Sequence, residues 1–344
     1  MEISLQKSNQ LKAVAILMML FLHLFNRPYQ GLFQPLLFLG NQPLSYYISL
    51  FGDACVPIFC FVSGYGLYFS YQKSKDIYNK NNLTRILKLY INYWIIVLIF
   101  AVTLGYVLQK AGFPGNWFKF LLNFTALDNS YNSASWFFFT YILLVLTSSF
   151  WFRGLQKIGN NLLFVLVLVL YCVGFYFRVY RPELFENTIL NWLQRQICLY
   201  ATSLFPFFIG SLALKKQWNT KINHFLMSFR FKNAVAVIGI LVLVIAHGII
   251  PNFIIAPFLG IPFIFLFVQL QLPAAIERTL NYLAPHATNL WLTHMFFYMV
   301  YFEELIYGAK YVPSIFLVLI TCCLISSFLI NKFNDLVIKL LRIQ

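Results

Sequence analysis

"LKAVAILMMLFLHLF", residues 11–25, is a run of side chains in which only Lys12 and His23 are polar. About 20 mainly apolar residues in a helix cross ~30 Å of hydrocarbon, so the stretch reads as most of one membrane span. Eleven residues of α-helix rise ~16 Å and turn about 1100°, three turns plus ~20°. Lys12 and His23 therefore share one helix face, the lysine at a boundary and the imidazole about three turns deeper.

The rest of the chain agrees with a lipid setting. Of its 344 residues 60% are apolar and 10% charged, with a mean hydropathy of +0.74, values outside the range of soluble globular domains. The formal charge of +15 is spread among 39 Phe and 21 Tyr, which leaves no contiguous basic surface for nucleic acid. Cys55, Cys60, Cys172, Cys198, Cys322 and Cys323 lie in or beside apolar runs with no C-x-x-C pair, so neither a disulfide framework nor a zinc site is expected. No small-residue cleavage site follows the first apolar run and His23 breaks its polarity, which predicts an uncleaved first span.

Ten spans are expected, centred on 11–26, 45–71, 86–108, 135–152, 160–177, 197–214, 233–250, 251–270, 282–302 and 311–331. The seventh and eighth are divided only by His247, Gly248, Pro251 and Asn252. With the N-terminus inside, 18 lysines and arginines fall on the cytoplasmic side and 7 outside, which favours both termini cytoplasmic. The chain reads as one all-α polytopic domain over 1–344. Of the two long external connections, 178–196 mixes Arg178, Arg181 and Arg195 with Glu183, Glu186, Asn191 and Trp192. That mix suits a polar, ring-shaped ligand and equally an interfacial helix with an aromatic belt.

Ionisable groups inside a bilayer normally face a cavity or a partner. Asp53 lies ~12 Å from the outer edge of the second span, and His294 in "NLWLTHMFFY" lies ~18 Å from the inner edge of the ninth. His23, Asp53 and His294 can thus share one depth. A structural His23–Asp53 hydrogen bond locking two helices fits this pattern, and so does a general base oriented by a carboxylate. His247 and His286 sit nearer span ends, where a solvated histidine is expected. In "VPIFCFVSGYGL", Pro57 is expected to kink the second span, and Gly64 and Gly66 to allow close helix packing. "LTRILKLY" puts Arg85 and Lys88 at i and i+3 on one face. They are either snorkelling boundary charges or a pair able to hold phosphate.

Together these pieces resemble the acyltransferase 3 family of integral membrane acyltransferases. The family pattern of a basic residue, ten intervening residues and His matches Lys12 and His23. "CVPIFCFVSGYGL" (55–67) and the basic pair Arg85 and Lys88 also match, with weaker echoes in "SWFFFTYILL" (135–144), "FPFFIGSLALKK" (205–216) and "NLWLTHMFFY" (289–298). Lysine stands in for arginine at 12 and 88, which loses a bidentate fork. No acidic residue follows Trp136 as it does in many members, and no fused hydrolase-like domain follows the spans, as in the stand-alone type.

The resemblance implies a multi-pass inner-membrane O-acetyltransferase that moves an acyl group from cytosolic acetyl-CoA to a hydroxyl of an envelope carbohydrate. CoA is then donor substrate and no bound cofactor is needed. His23 would be base or nucleophile, with Asp53 or His294 orienting it. Lys12, Arg85 and Lys88 would hold acyl-CoA, and Ser63 is placed with them as a donor to the thioester oxygen. Expected partners are acyl-CoA, the carbohydrate, the bilayer and a second copy of the chain. A lipid-linked glycan flippase, a glycan polymerase and a non-catalytic scaffold remain alternative readings of the same buried polar residues.

Overall fold

The structure, a computed structural model, describes residues 2–343 apart from the side chain of Met227. In chain order the main helices are α1 (Leu5–Phe25), α2 (Leu44–Lys73), α3 (Tyr78–Val107), α4 (Ser133–Lys157), α5 (Asn160–Val179), α6 (Thr188–Lys215), α7 (Lys232–Ile249), α8 (Phe253–Gln269), α9 (Ala287–Met295) and α10 (Val312–Leu340). Among the described residues strand is confined to the pair Phe38–Leu39 with Gln42–Pro43. The protein is an all-α polytopic membrane protein.

Eight of these helices are long and apolar enough to cross a membrane. The other two expected spans take a different form. The eighth is the shorter α8. The ninth is broken, with a 3-10 turn Ala284–His286 before α9 and a π turn Phe296–Tyr301 after it. The division near Pro251 holds: α7 ends at Ile249, and the Asn252 side chain accepts from the Ile254 N–H to cap the next turn, as expected where proline removes a donor and blocks the helix behind it.

The chain divides into two compact units. Unit one comprises Met1–Ala15, Asp53–Asn79 and Thr140–Asn281, and unit two comprises Ile16–Gly52, Lys80–Phe139 and Tyr282–Gln344.

Unit one is built on a close crossing of α2 and α6. A Cβ added to Gly64 would sit 1.9 Å from the Phe207 carbonyl oxygen, and one added to Gly210 would sit 2.0 Å from that of Phe61. Two backbones can approach this closely only where both contacts are glycine. Ser211 Oγ donates to the Gly64 carbonyl at 3.1 Å and fastens the crossing. Gly66 has nothing within 4 Å of an added Cβ, so of the two expected packing glycines only Gly64 acts as one. At Pro57, where a kink is expected, the structure has a change of helix type just before the proline. Its ring would clash with the carbonyl of residue 53, and Phe51–Ala54 is a 3-10 turn.

Unit two gathers α3, α9, α10 and the second half of α1. A π turn lies within α3, Val97–Thr103, and another follows α9, Phe296–Tyr301. Phe100 stacks on Phe296 with centroids 4.9 Å apart, and Tyr301 Oη donates to the Phe100 carbonyl at 2.5 Å. One wide turn thus supplies the donor for a carbonyl in the other.

The expected outcome of Gly210→Ala is a loss of about 1–3 kcal/mol, the usual cost of overpacking, seen as a fall in the thermal midpoint of the detergent-solubilised protein. Gly66→Ala, with open space around it and a helical backbone, leaves the midpoint unchanged or raises it slightly.

Candidate active site

The site in unit two begins with the backbone of α9. One helical turn below His294, the carbonyls of Trp291 and Leu290 lie 2.7 and 3.1 Å from its Nδ1. A carbonyl can only accept, so this nitrogen carries the proton and Nε2 holds the lone pair. His294 Nε2 in turn lies 2.6 Å from His23 Nδ1. With His294 as acceptor, His23 Nδ1 is the donor, and the lone pair of His23 is left on Nε2. The two rings are near-parallel, with centroids 4.9 Å apart, and the Tyr298 ring is stacked with His294 at 5.9 Å. His294 is fully buried, whereas His23 is half-buried. Among the described residues His23 makes no second hydrogen bond, so Nε2 is the nitrogen left for a ligand.

His23 lines a cavity of about 250 Å³ together with Asn26, Arg27, Ser133, Ala134, Trp136, Met295, Tyr298 and Met299. The wall at 132–136 is tied to α9 by four bonds. Asn132 Nδ2 donates to the Leu292 carbonyl (2.7 Å), and Trp291 Nε1 donates to the Ala134 carbonyl (2.8 Å). The Ser133 hydroxyl and the Ala134 N–H both donate to Met295 Sδ, at 3.2 and 3.1 Å. Behind the wall, buried Asn123 accepts from the Tyr131 N–H (3.1 Å) and donates to Asp128 (3.1 Å) and Ser130 (2.9 Å). The loop before α4 is therefore held in place, and the cavity keeps its shape.

A second buried polar layer lies one turn and a half along α9 from the histidines. Asn92 Nδ2 donates to Asn289 Oδ1 (2.8 Å), and Asn289 Nδ2 donates to Ser327 Oγ (2.9 Å) and Asn331 Oδ1 (2.7 Å). His286 Nδ1 sits 2.8 Å from Ser327 Oγ. Asn289 is ~7.5 Å before His294 along α9, and Asn92 is ~6 Å beyond Lys88 and ~10 Å beyond Arg85 along α3. A row of polar groups thus runs from the basic pair toward His294.

The residues singled out from the sequence fall as follows. His23 and His294 meet. Arg85 is half-buried, with Nη1 on Asn82 Oδ1 at 2.7 Å, and Lys88 follows it on α3. Lys12 lies on α1 in the part of that helix that belongs to unit one. Asp53 and Ser63 belong to unit one. The Asp53 carboxylate lies 3.6 Å from His247 Nε2, and Ser63 is half-buried on α2. Two histidines correct the expectation of solvated span ends. His247 is 0% exposed against Asp53, and His286 is 6% exposed because Ser327 of α10 covers it.

Sequence reading missed Arg27, Asn26, Ser133 and Tyr298 as cavity residues. A signal existed for the first two, which follow His23 at i+4 and i+3 and so extend its helix face. Nothing in the spacing of Ser133 points to His23.

A hydrogen-bonded histidine pair beside a shaped polar cavity, within a set of apolar helices, is the layout of a membrane-embedded enzyme. The chain matches the family model described as an acyltransferase domain over residues 6–332, nearly its full length. It belongs to the acyltransferase 3 family and is a multi-pass membrane acyltransferase. No curated protein and no solved structure gave a match.

If the Trp291 carbonyl sets the His294 tautomer, and His294 sets that of His23, ring ¹⁵N chemical shifts of labelled His23 will show a neutral ring protonated at Nδ1. In His294→Ala the same resonances should report a mixture of tautomers. A His23 ring protonated at Nε2 in the wild type would refute the relay.

Proposed function

We propose that the protein is an O-acetyltransferase that moves an acetyl group from acetyl-CoA at the cytoplasmic face to a hydroxyl of an envelope carbohydrate, in a bacterial inner membrane. The observation that carries this reading is the hydrogen bond from His23 Nδ1 to His294 Nε2, because it leaves His23 Nε2 as a base or nucleophile in a polar cavity. In the direct route Nε2 takes the proton of the acceptor hydroxyl as its oxygen attacks the thioester carbonyl. The tetrahedral intermediate then expels the CoA thiolate, which recovers that proton. In the alternative route Nε2 attacks the thioester carbonyl and the CoA thiolate leaves. The acceptor oxygen then takes the acetyl group from Nε2, which departs as the free imidazole, while the hydroxyl proton passes to the thiolate.

The donor end of the reading rests on α3. Arg85 and Lys88 supply positive charge for the phosphates of CoA. Asn92, Asn289 and Ser327 form a polar row between that pair and His294, a direction that an extended pantetheine arm with its amides would follow. Lys12 is assigned to the donor on its sequence spacing from His23.

His23→Ala should lower acetyl transfer by roughly 10²–10⁴-fold, the usual range for a general base, while the protein stays folded. The check is the alkali-labile O-acetyl content of surface glycan, read by NMR in cells carrying wild type, His23→Ala or no copy. Equal acetyl content in all three would overturn the reading, and altered glycan amount or length would then favour a transporter or polymerase. Arg85→Ala and Lys88→Ala should each raise the KM for acetyl-CoA with kcat nearly constant, the mark of lost donor binding.

A further inference from the structure

The cavity at His23 has one cationic side chain among the residues that line it and no acidic one. That cation, Arg27, follows His23 by four residues just beyond α1. Its Nη2 rests 3.5 Å from Met299 Sδ, and its Cζ lies 5.8 Å from the Tyr298 ring centroid. Arg27 also hydrogen-bonds the Tyr298 side chain, and a thioether, a ring and one hydroxyl leave part of a fork of five N–H donors for a ligand. No carboxylate forms an ion pair with Arg27 among the described residues. Glu303 interacts electrostatically with Tyr298 but makes no such pair. Arg27 is also exposed, so an incoming ligand can reach it.

This end of α1 is the one opposite Lys12. If the donor enters past Arg85 and Lys88 and along the Asn92–Asn289 row, it reaches the histidines from the far side, and the Arg27 mouth is left to the acceptor. A neutral sugar would not need a guanidinium there, whereas an anion would meet it with charge-assisted and bidentate hydrogen bonds. Arg27 and His23 line one and the same cavity of about 250 Å³. An anion held by Arg27 and a hydroxyl held by His23 Nε2 thus fit on one sugar ring or on its immediate substituent.

We propose that the acceptor is an anionic sugar, whose carboxylate or phosphate is bound by Arg27 so that a hydroxyl of the same residue lies at His23 Nε2. This rests on the acetyl-transfer reading above and adds the charge class of its acceptor. Asn26 and Tyr298, which line the same cavity as Arg27, supply the remaining polar contacts, and Trp136 offers an aromatic wall for the ring.

The test uses full-length protein in nanodiscs as wild type, Arg27→Gln and Arg27→Lys. Three probes are compared: methyl glucuronide, glucose 1-phosphate and the uncharged methyl glucoside. Saturation-transfer NMR gives binding without turnover, and [¹⁴C]acetyl-CoA gives transfer. The expected result is that wild type binds at least one charged probe roughly ten- to a hundredfold more tightly than methyl glucoside, the size of one charge-assisted hydrogen bond. The preferred probe tells carboxylate from phosphate. Arg27→Gln should remove the preference while keeping the weak binding of methyl glucoside, and Arg27→Lys should restore part of it.

No preference in wild type, or a preference that survives Arg27→Gln, overturns the proposal. Equal loss of charged and uncharged probes in Arg27→Gln also overturns it, since that marks a merely structural role. Arg27-dependent binding of a charged probe with no acetyl transfer to any probe would support the anion site and count against the acetyl-transfer reading alone. Efficient transfer to methyl glucoside, equal to that of the charged probes, would do the reverse.

Discussion

The chemistry of unit two depends on a hydrogen bond between a histidine and its own helix. Because His294 Nδ1 faces the Trp291 and Leu290 carbonyls, the position of its proton is fixed by the backbone and needs no carboxylate. The fixed proton sets the direction of the next bond, to His23, and so the nitrogen on which His23 is basic. Inside a membrane a buried carboxylate would add a charge to be stabilised, at a cost of several kcal/mol. A pair of neutral rings held by a carbonyl avoids that cost and still orients the base.

Around this pair unit two is layered along α9. Below the histidines is the Asn92–Asn289–Ser327–Asn331 layer, above them the Arg27 mouth, and between them a cavity whose far wall is sewn to α9 by the bonds of residues 132–134. Buried amides and hydroxyls of this kind are costly when unpaired. Here each meets another, so the layer stays apolar toward the lipid and polar only within. Unit one follows another rule, close backbone contact. Gly64 and Gly210 bring α2 and α6 together in an environment where apolar side chains gain little by meeting one another instead of lipid.

Much of the helix pattern was legible in the sequence, because spans announce themselves by length and apolarity and breaks by Pro251 and Asn252. The shared depth of His23 and His294 was legible too, from boundaries and a 1.5 Å rise. Their mutual contact was not, since the facing of two distant helices comes from tertiary packing. The same limit hid the burial of His247 and His286: position near a span end suggests solvent, and only the neighbours Asp53 and Ser327 reveal otherwise. Gly64 and Gly66 look alike in sequence, yet two residues of helix turn one of them away from α6. Arg27 read as one more external charge, because a boundary rule assigns sides and says nothing of cavities.

A π turn is an α-helix carrying one extra residue. The wider turn spreads that extra residue over about the same rotation, so deleting a single residue from 97–103 would restore a regular helix and leave the turns on either side in place. What it would remove is the wide turn that presents the Phe100 carbonyl to Tyr301. The extra residue thus serves a bond between two helices and not the course of either one.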